Sequence, residues 1–391
     1  MKPALDGTHR KPRVLFVVTE DWYFCLHRLA LGQAVRDRGY DVLVATHVTD
    51  HGPQITAEGF TLIPIQLSRS GRNPFREFLA IAELARIYRR EKPDIVHHVA
   101  LKPILYGSWA ARIAHRGIVI NAFAGLGFVF TGTKILTKVT RTVITTLLRG
   151  ALAGSSAITV FQNADDYEVL RTHGVVTSLR VAIVRGSGVN EREFVPVPET
   201  PGKPLVLLAS RMLWDKGIGE FVEAARIIGR RGISARFVLA GRRDPSNPSS
   251  IAAEQLERWR TEGVIDWWEQ RDDMPAVMAM AHIVALPSYR EGLPKVLLEA
   301  AACARPIVAT DVPGCREIVK NGENGFLVPP QDAEALADAL ILLLSNPDLR
   351  VRMGQTGRRM VTEAFTIGHV ASQFLDIYAR LLSGAGLPDL V

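Results

Sequence analysis

Residues 287–300 read PSYREGLPKVLLEA, and two glutamates, Glu291 and Glu299, stand on either side of the glycine turn in this stretch. The apolar run AHIVAL at 281–286 is typical of a parallel strand that is buried on both faces. The spacing of apolar residues over 296–304 predicts a helix. The stretch therefore predicts strand, loop and helix in succession, and the free N–H groups at the start of such a helix favour a bound phosphate.

The two carboxylates differ in position. Glu291 lies in the loop ahead of the helix, whereas Glu299 lies on its second turn and approaches the same place from the side. Two carboxylates beside a phosphate site suit a ligand that carries both hydroxyls and phosphate, such as a nucleotide sugar. The spacing leaves a second interpretation open, in which Glu291 caps the helix and Glu299 is a solvated helical residue.

Length and composition limit the class of protein. The chain has 391 residues, 47% of them apolar, so it can bury large cores, and its length predicts two domains. Three cysteines, Cys25, Cys303 and Cys315, show neither paired nor metal-ligand spacing, which favours a reducing cytoplasm. Residues 1–13 are polar, so we expect no secretory signal.

The formal net charge of +7, with a pI near 9.4, favours an anionic partner. A nucleotide diphosphate, an acidic membrane surface and a nucleic acid all fit that description. Nucleic acid ranks last, because no aromatic-rich basic platform or zinc pattern accompanies the charge.

The first half of the chain alternates short apolar runs with helical stretches, which predicts a doubly wound parallel sheet. His97 and His98 are neighbours on the fourth predicted strand, so they point to opposite faces and cannot both bind one metal ion. His27, early in the first helix, either faces the binding edge of the sheet or lies on the helix surface. Strands are predicted at 13–19, 41–46, 60–65, 94–99, 117–121, 157–161 and 181–184.

The loop that contains Gly125 and Gly127 resembles two phosphate-binding motifs, and both are rejected. No third glycine follows at the offset that a dinucleotide fingerprint requires. Residues 127–134 read GFVFTGTK, in which the lysine follows the threonine, so it does not take the place of the P-loop lysine.

Residues 134–152 form an amphipathic pattern with basic residues along it. Lys138, Arg141 and Arg149 exclude a membrane-spanning helix. Ile135, Leu136, Val139, Val143, Ile144, Leu147 and Leu148 are predicted to lie near one face. Such a helix either lies on an anionic membrane or packs its apolar face against the sheet.

The proline-rich stretch VPVPETPGKP at 195–204 predicts an interdomain linker, so we divide the chain into domains 1–195 and 196–369. A second strand and turn unit follows at once, with SRMLWDKG at 210–217. Arg211 and Lys216 flank this turn, where they could hold a diphosphate and stabilise a negative leaving group. Taken alone, two basic loop residues are as readily explained as solvated.

Three stretches, REGLPKVLLEAAACARPIVATDVPGCREIV at 290–319, NGENGFLVPPQDAEALADAL at 321–340 and SRMLWDKG, resemble the donor site of retaining family 4 glycosyltransferases. The resemblance implies an α/β protein of the GT-B fold, with two Rossmann-like doubly wound domains facing across a cleft. It also implies that a helix at about 370–391 returns to complete the N-terminal, acceptor-binding domain.

The resemblance further implies roles for individual residues. Glu291 is expected to hold donor-sugar hydroxyls and to act in catalysis with Arg211 and Lys216, and Glu299 to hold the ribose diol. The remaining donor-binding residues that it implies are Gly292, Leu293, Pro294, Gly186, Ser187, Gly188, Gly241 and Arg271. Because no Asp-x-Asp triplet is present, we expect no metal and no other cofactor, and the family implies retention of configuration by a front-face route.

Three first-half stretches, at 68–75, 101–112 and 125–132, resemble bacterial transferases that extend undecaprenyl-diphosphate-linked sugars with UDP-sugars. We therefore expect a lipid-linked or soluble glycan acceptor. The residues expected to contact it are His27, Arg69, Asn73, Lys102, Gly125 and Gly127.

Two alternatives from other classes remain open. A non-hydrolysing UDP-sugar 2-epimerase has the same architecture, but it needs acid and base carboxylates and a histidine that the sequence does not assemble. An inactive nucleotide-sugar binding protein would lack at least one charged residue of the donor site. All four are present: Arg211, Lys216, Glu291 and Glu299. We expect a cytoplasmic protein, with peripheral association with the inner face of the cytoplasmic membrane as one alternative.

Overall fold

The computed structural model describes residues 10–67, 74–115, 118–126, 130, 135–153, 157–177 and 180–385. The chain divides into two compact units, and the division falls between Ser187 and Gly188 and again between His369 and Val370. Each unit is built on one sheet, and the two sheets are described separately below.

The first unit holds, within the described residues, a seven-stranded sheet in the order β3-β2-β1-β4-β5-β6-β7. All of its strand pairs are parallel, so helical connections must cross its faces. The strands are β1 Arg13–Glu20, β2 Asp41–His47, β3 Thr61–Pro64, β4 Ile95–Val99, β5 Ile118–Ala122, β6 Ile158–Phe161 and β7 Val181–Ile183. Each lies within one residue of its predicted bounds, which confirms the doubly wound fold of this half.

The second unit has a six-stranded parallel sheet in the order β10-β9-β8-β11-β12-β13. The strands are β8 Leu205–Ala209, β9 Arg236–Ala240, β10 Asp266–Trp267, β11 Ile283–Leu286, β12 Ile307–Thr310 and β13 Gly325–Val328. The sequence pattern did not single out β10, a strand of two residues at the edge of the sheet.

Helices cover both sheets. Those that follow the strands of the first unit are α1 Asp21–His27, α2 Leu29–Asp37, α3 Gly52–Ala57, α4 Pro74–Glu91, α5 Leu101–Ala114, α6 Ile135–Leu152 and α7 Ala164–Thr172. Those of the second unit are α8 Ile218–Arg230, α9 Ala253–Thr261, α10 Met274–Met280, α11 Lys295–Ala302, α12 Pro313–Ile318, α13 Ala333–Leu344 and α14 Pro347–Ala364. The last helix is α15 Ile367–Leu382.

The first strand shows why continuous apolar runs form these sheets. Phe16 packs in the cluster on one face of β1, and Leu15 and Val17 pack in the cluster on the other. The tandem histidines of β4 follow the same alternation. His97 Nδ1 lies 2.5 Å from the hydroxyl of Tyr378 on α15, whereas His98 bonds to side chains of the opposite face. Both histidines are fully buried, which confirms that they point in opposite directions and shows that both are core residues.

The proline-rich stretch 195–204 belongs to the second unit. Glu199 forms an ion pair with Arg350 of α14, and the carbonyl of Val197 accepts a hydrogen bond from Arg305. The carbonyl of Thr200 lies 3.0 Å from a ring nitrogen of His282. These contacts hold the stretch on the second sheet, so the boundary by contacts falls at Ser187, earlier than the predicted position after residue 195.

Helix α6 differs from its prediction, because its apolar residues occupy two faces. Leu148 is fully buried and packs in the core of the first unit. Val139, Val143 and Leu147, which recur every four residues, are 56%, 52% and 45% exposed. The helix therefore packs on the sheet with one face and leaves an apolar stripe, defined by these three residues, open to solvent.

Candidate functional site

The order of the second sheet turns around between β8 and β11, which are neighbours. Their carboxyl ends lie at the same edge, and open α/β sheets bind ligands at such a point. Residues 210–217 follow β8, and residues 287–294 follow β11. The amide of Tyr289 donates to the carbonyl of Asp215 over 2.9 Å, so the two loops are joined directly.

Two residues that were predicted to be catalytic form an ion pair at this junction. Nζ of Lys216 lies 2.5 Å from Oε1 of Glu291, and both side chains are largely buried. Partial burial strengthens such a charge pair relative to one on an open surface. Glu291 thus holds the ammonium group of Lys216 at the junction of the two loops.

Gly217 permits the close approach of the two loops. It has a φ of +70°, and a Cβ at this position would lie 2.0 Å from the carbonyl oxygen of Pro287. The residue ends the short 3₁₀ turn Trp214–Lys216 and directly precedes α8. Because L side chains are strained at this φ and no room exists for a Cβ, the turn that delivers Lys216 to Glu291 requires glycine.

Arg211 is anchored by a residue that sequence reasoning missed. Its Nη1 lies 2.6 Å from Oδ2 of Asp244, in the loop that follows β9. Gly241 opens that loop, and a Cβ there would lie 1.8 Å from the carbonyl oxygen of Ser210. The glycine could be identified from the sequence, but Asp244 could not, because its partner lies on another loop 33 residues away.

Glu299 is a buried carboxyl group on α11. It is 8% exposed, and Lys295 Nζ lies 3.6 Å from its Oε1. Burial raises the pKa of Glu299 to about 7, although Lys295 partly opposes the change, and the charge of Glu193 adds to it. The interpretation of Glu299 as a solvated helical residue is therefore wrong.

Helix α11 begins at Lys295, with Pro294 as its extended N-cap residue and no side chain as cap. Glu291 does not cap this helix, since its carboxylate pairs with Lys216. The carbonyl of Glu291 accepts a hydrogen bond from the amide of Gly314 over 3.2 Å. Leu293 packs against the core of the second unit, so these contacts hold the loop 291–294 in place.

Arg271 has local partners. It forms two hydrogen bonds with the carboxylate of Asp273, at 2.8 and 2.6 Å, and its guanidinium lies 5.8 Å from the ring centre of Trp268. The preceding residues are tied to the site, because the carbonyl of Glu269 accepts from the amide of Gly241 over 2.6 Å.

The predicted donor-binding loop 186–188 lies at the boundary between the two units. Gly186 and Ser187 belong to the first unit, and Gly188 is the first residue of the second.

The residues expected to contact an acceptor lie in the first unit. His27 ends α1, which follows β1, and its ring centre lies 4.4 Å from that of Tyr23. Lys102, at the start of α5, forms an ion pair with Glu77 of α4 at 2.9 Å. Gly125 follows β5 and has a φ of +97°. Arg69, Asn73 and Gly127 lie outside the described residues.

The same edge of the first sheet holds two features that sequence reasoning missed. Ala100, between β4 and α5, has a φ of +72°, a strained value for a residue with a side chain. Asp21 is fully buried, and its carboxylate accepts hydrogen bonds from the amides of Thr49 and His51 at 2.7 and 2.9 Å. Burial alone would raise the pKa of Asp21, but the hydroxyl of Thr49 and the amides of Thr49, His51 and Trp22 together outweigh burial and lower it.

No cluster of three or more histidine, cysteine or acidic side chains suited to a metal ion occurs in the described part of the chain. Two ion pairs lie at this edge of the sheet, Lys216 with Glu291 and Arg211 with Asp244. Such a set of paired cations and carboxylates suits a ligand with both phosphates and hydroxyls.

Two family models match the chain. Residues 189–360 match the glycosyl transferases group 1, and residues 13–163 match a glycosyl transferase 4-like family. The first match spans the site residues of the second unit.

Curated relatives and solved structures agree with these matches. The N,N'-diacetylbacillosaminyl-diphospho-undecaprenol alpha-1,3-N-acetylgalactosaminyltransferase of Campylobacter jejuni is 27% identical, over 91% of this chain and 95% of its own length. The UDP-Gal:alpha-D-GlcNAc-diphosphoundecaprenol alpha-1,3-galactosyltransferase of Escherichia coli is 24% identical, over 78% and 80%. Sucrose-phosphate synthase from Thermosynechococcus elongatus shares the fold, with a TM-score of 0.79, 21% identity and coverage of 96% of this chain and 100% of its own.

Proposed function

We propose that this chain, which matches the glycosyl transferases group 1 over residues 189–360 and a glycosyl transferase 4-like family over residues 13–163, moves a hexose or an N-acetylhexosamine from a UDP-sugar to a saccharide carried on a lipid diphosphate. One observation carries the proposal. Arg211, Lys216, Glu291 and Glu299 all lie on the loops and the helix that follow β8 and β11, where the order of one parallel sheet turns around.

The cations are assigned to the diphosphate of the donor. Arg211 and Lys216 are each held by a carboxylate, so their side chains are ordered before a ligand arrives. Because these charged side chains are already ordered, they do not have to reorganise before they stabilise the departing diphosphate. The N–H groups at the start of α11 add further positive potential near the phosphates.

The carboxylates are assigned to hydroxyl groups. Glu291, in the loop, accepts hydrogen bonds from the transferred sugar, and Glu299, on α11, accepts those of the ribose. A carboxylate offers two oxygens and accepts paired hydroxyls well. This assignment follows the family resemblance and is consistent with the positions of both side chains after β11.

The proposed reaction retains configuration and uses no metal. The bond between the anomeric carbon and the β-phosphate oxygen breaks, and the electron pair stays on the phosphate. The acceptor oxygen bonds to the same face of the sugar, and its proton passes to the departing phosphate. The protein then acts by positioning and electrostatics.

The choice of donor and acceptor rests on the relatives. The name of the Campylobacter relative gives a diphospho-undecaprenol carrier, and that of the Escherichia coli relative gives UDP-Gal and a diphosphoundecaprenol carrier. The epimerase interpretation finds no support among these relatives, which are named as transferases.

The test is acceptor-dependent release of nucleotide. The purified protein is incubated with a panel of UDP-, GDP- and ADP-sugars, with and without a lipid-diphosphate saccharide, and with EDTA throughout. We expect release of UDP only when the acceptor is present, and an α-linked product by NMR. Release of GDP or ADP instead, loss of all activity in EDTA, or conversion of the sugar without release would each contradict the proposal.

Glu299 predicts a pH dependence of donor binding. Its pKa of about 7 means that it gains its charge near neutral pH, and only the carboxylate accepts hydrogen bonds with both oxygens. UDP-sugars do not titrate in this range. We expect the Kd of the UDP-sugar, measured by calorimetry, to fall about tenfold between about pH 6 and about pH 8. The Glu299→Gln variant should show no such change, and a wild-type Kd that stays constant would contradict the assignment.

Peripheral membrane binding is the last part of the proposal. Within the described residues, no helix is long and apolar enough to cross a membrane. The apolar stripe of α6 is exposed, and its helix carries Lys138, Arg141 and Arg149 without any acidic residue. We assign this stripe to the anionic inner face of the membrane that carries the acceptor.

Vesicle flotation tests the membrane assignment. We expect the protein to float with vesicles rich in phosphatidylglycerol but not with phosphatidylcholine alone, because anionic lipid is required. Replacing Val139, Val143 and Leu147 together with serine should weaken binding about tenfold or more. The control variant replaces Leu342 and Val351 with serine, since these residues of the second unit are about as exposed as those of the stripe. Equal binding of the two variants would contradict the assignment.

A further inference from the structure

Asp244 lies in a loop that runs beside the loop of Arg211 and Lys216. The amide of Met212 donates to the carbonyl of Arg242 over 3.0 Å, and the amide of Trp214 donates to the carbonyl of Ser249 over 2.8 Å. The amide of Ile251 returns a hydrogen bond to the carbonyl of Met212 over 3.0 Å. The two loops therefore form one backbone-bonded unit, and the position of Asp244 is fixed relative to Arg211.

Both oxygens of the Asp244 carboxylate are engaged. Oδ2 pairs with Nη1 of Arg211 at 2.6 Å, and Oδ1 accepts a hydrogen bond from the hydroxyl of Ser246 over 2.7 Å. The amide of Asn247 also donates to the carbonyl of Asp244 over 2.9 Å, which closes a turn around the carboxylate. The group is thus oriented by its own loop before it meets the guanidinium.

The pair uses only part of the guanidinium. Arginine presents five N–H donors in a rigid plane, and the contact with Asp244 is made through Nη1. Fixing one end of this plane orients the remaining donors and removes rotamer freedom from a long side chain that is about one third exposed. Such orientation lowers the entropy lost when the guanidinium binds a diphosphate.

We propose that Asp244 is a positioning residue for catalysis, which holds the Arg211 guanidinium in the orientation that stabilises the departing diphosphate. The inference rests on the proposed function, because it assigns Arg211 to that diphosphate. It adds a residue that acts through Arg211 and touches neither the sugar nor the phosphates.

Removal of the carboxylate has two opposite effects on the donor. Arg211 loses its orientation, which slows the chemical step, while the site loses one negative charge, which favours the anionic donor in the ground state. We therefore expect Asp244→Asn to lower kcat about tenfold without raising the KM of the donor. Damage to the loop itself would raise KM as well.

A double-mutant cycle tests the proposal with wild type, Asp244→Asn, Arg211→Ala and the double variant. We expect Arg211→Ala to lower kcat about a hundredfold, which leaves a measurable rate. In that background Asp244→Asn should cause no further loss, because no guanidinium remains to be oriented. Asp244→Glu should recover part of the lost kcat. The control is Asp338→Asn, which removes a carboxylate paired with Arg231 on the surface of the second unit.

Each outcome is decisive. The positioning role would be overturned if Asp244→Asn lowered kcat equally in wild type and in Arg211→Ala. It would also be overturned if the kcat of Asp244→Asn were as high as that of Asp338→Asn. Neither result would contradict the proposed function. A normal kcat in Arg211→Ala would overturn both the positioning role and the assignment of Arg211 to the diphosphate. Thermal unfolding of each variant shows whether the loop remains folded.

Discussion

Replacing Lys216 with alanine is expected to lower kcat by about 10²–10³-fold, the loss seen when one group that stabilises developing negative charge is removed. The ammonium lies 2.5 Å from Glu291 in a largely buried pair, so its removal also leaves a carboxylate without its counter-charge beside the diphosphate. The KM of the donor should rise as well, because like charges then face each other. Initial rates of UDP release at saturating acceptor measure both effects.

The matched control for this prediction is Lys203→Ala, which removes the same charge from an exposed turn of the second unit. Its kcat should stay within about twofold of wild type, since exposed charges contribute little. The melting temperature of Lys216→Ala should fall, because a largely buried carboxylate loses its partner, so both rates are measured at a temperature at which both variants stay folded. A Lys216→Ala enzyme with near-normal turnover would mean that this cation does not serve the leaving group.

Replacing Arg350 with methionine is expected to lower the free energy of unfolding of the second unit by about 3–5 kcal/mol, the cost of breaking a buried ion pair. The Arg350 side chain is 4% exposed, and it bonds both oxygens of Glu199 at 2.8 and 2.6 Å. It also donates to the carbonyl of Leu343 over 2.8 Å. The variant leaves these acceptors unsatisfied and frees the segment that enters β8. Urea unfolding followed by tryptophan fluorescence measures the loss.

The control is Arg352→Met, an exposed position on the same helix, for which we expect less than about 0.5 kcal/mol. Burial alone would raise the pKa of Glu199, but the bonds and the charge of Arg350, with smaller contributions from His282 and Arg305, outweigh burial and lower it. A carboxyl group whose pKa is lowered by folding adds to the free energy of unfolding at a pH above its ordinary pKa. This contribution is lost as the pH falls through the lowered pKa. The difference in the free energy of unfolding between wild type and Arg350→Met should therefore be greatest above about pH 4.5 and should decrease below it. A difference that does not change with pH would contradict this account.

The strands could be predicted from the sequence because each is decided locally. A run such as AHIVAL carries apolar side chains on both faces, and only a strand covered on both sides buries them all. The seven strands predicted in the first half lie within one residue of the observed ones, and β11 lies within the predicted run at 281–286. The convergence of the loops after β8 and β11 also follows, since the carboxyl ends of neighbouring parallel strands share an edge.

Features that depend on distant partners could not be predicted. The stretch 195–204 has the composition of a linker, but composition reveals only that it forms no helix or strand. Its attachment depends on Arg305 and Arg350, which lie more than a hundred residues further along the chain. Asp244 was missed for the same reason, because an aspartate in a polar loop has no pattern of its own.

Helix α6 illustrates a different limit. Its apolar positions cover more than one face, and periodicity does not say which face meets the sheet. The structure assigns Leu148 to the core and leaves Val139, Val143 and Leu147 exposed. That division shows that one face of the helix packs in the core, and the membrane proposal concerns only the exposed face.

A crystal structure with a bound UDP-sugar tests the central claim most directly, because the claim assigns each part of the donor to a named side chain of the second unit. We expect the diphosphate within hydrogen-bond distance of Arg211 and Lys216, the ribose hydroxyls on Glu299, and the transferred sugar on Glu291. A donor bound with its diphosphate away from Arg211 and Lys216, or with its ribose away from Glu299, would contradict the account.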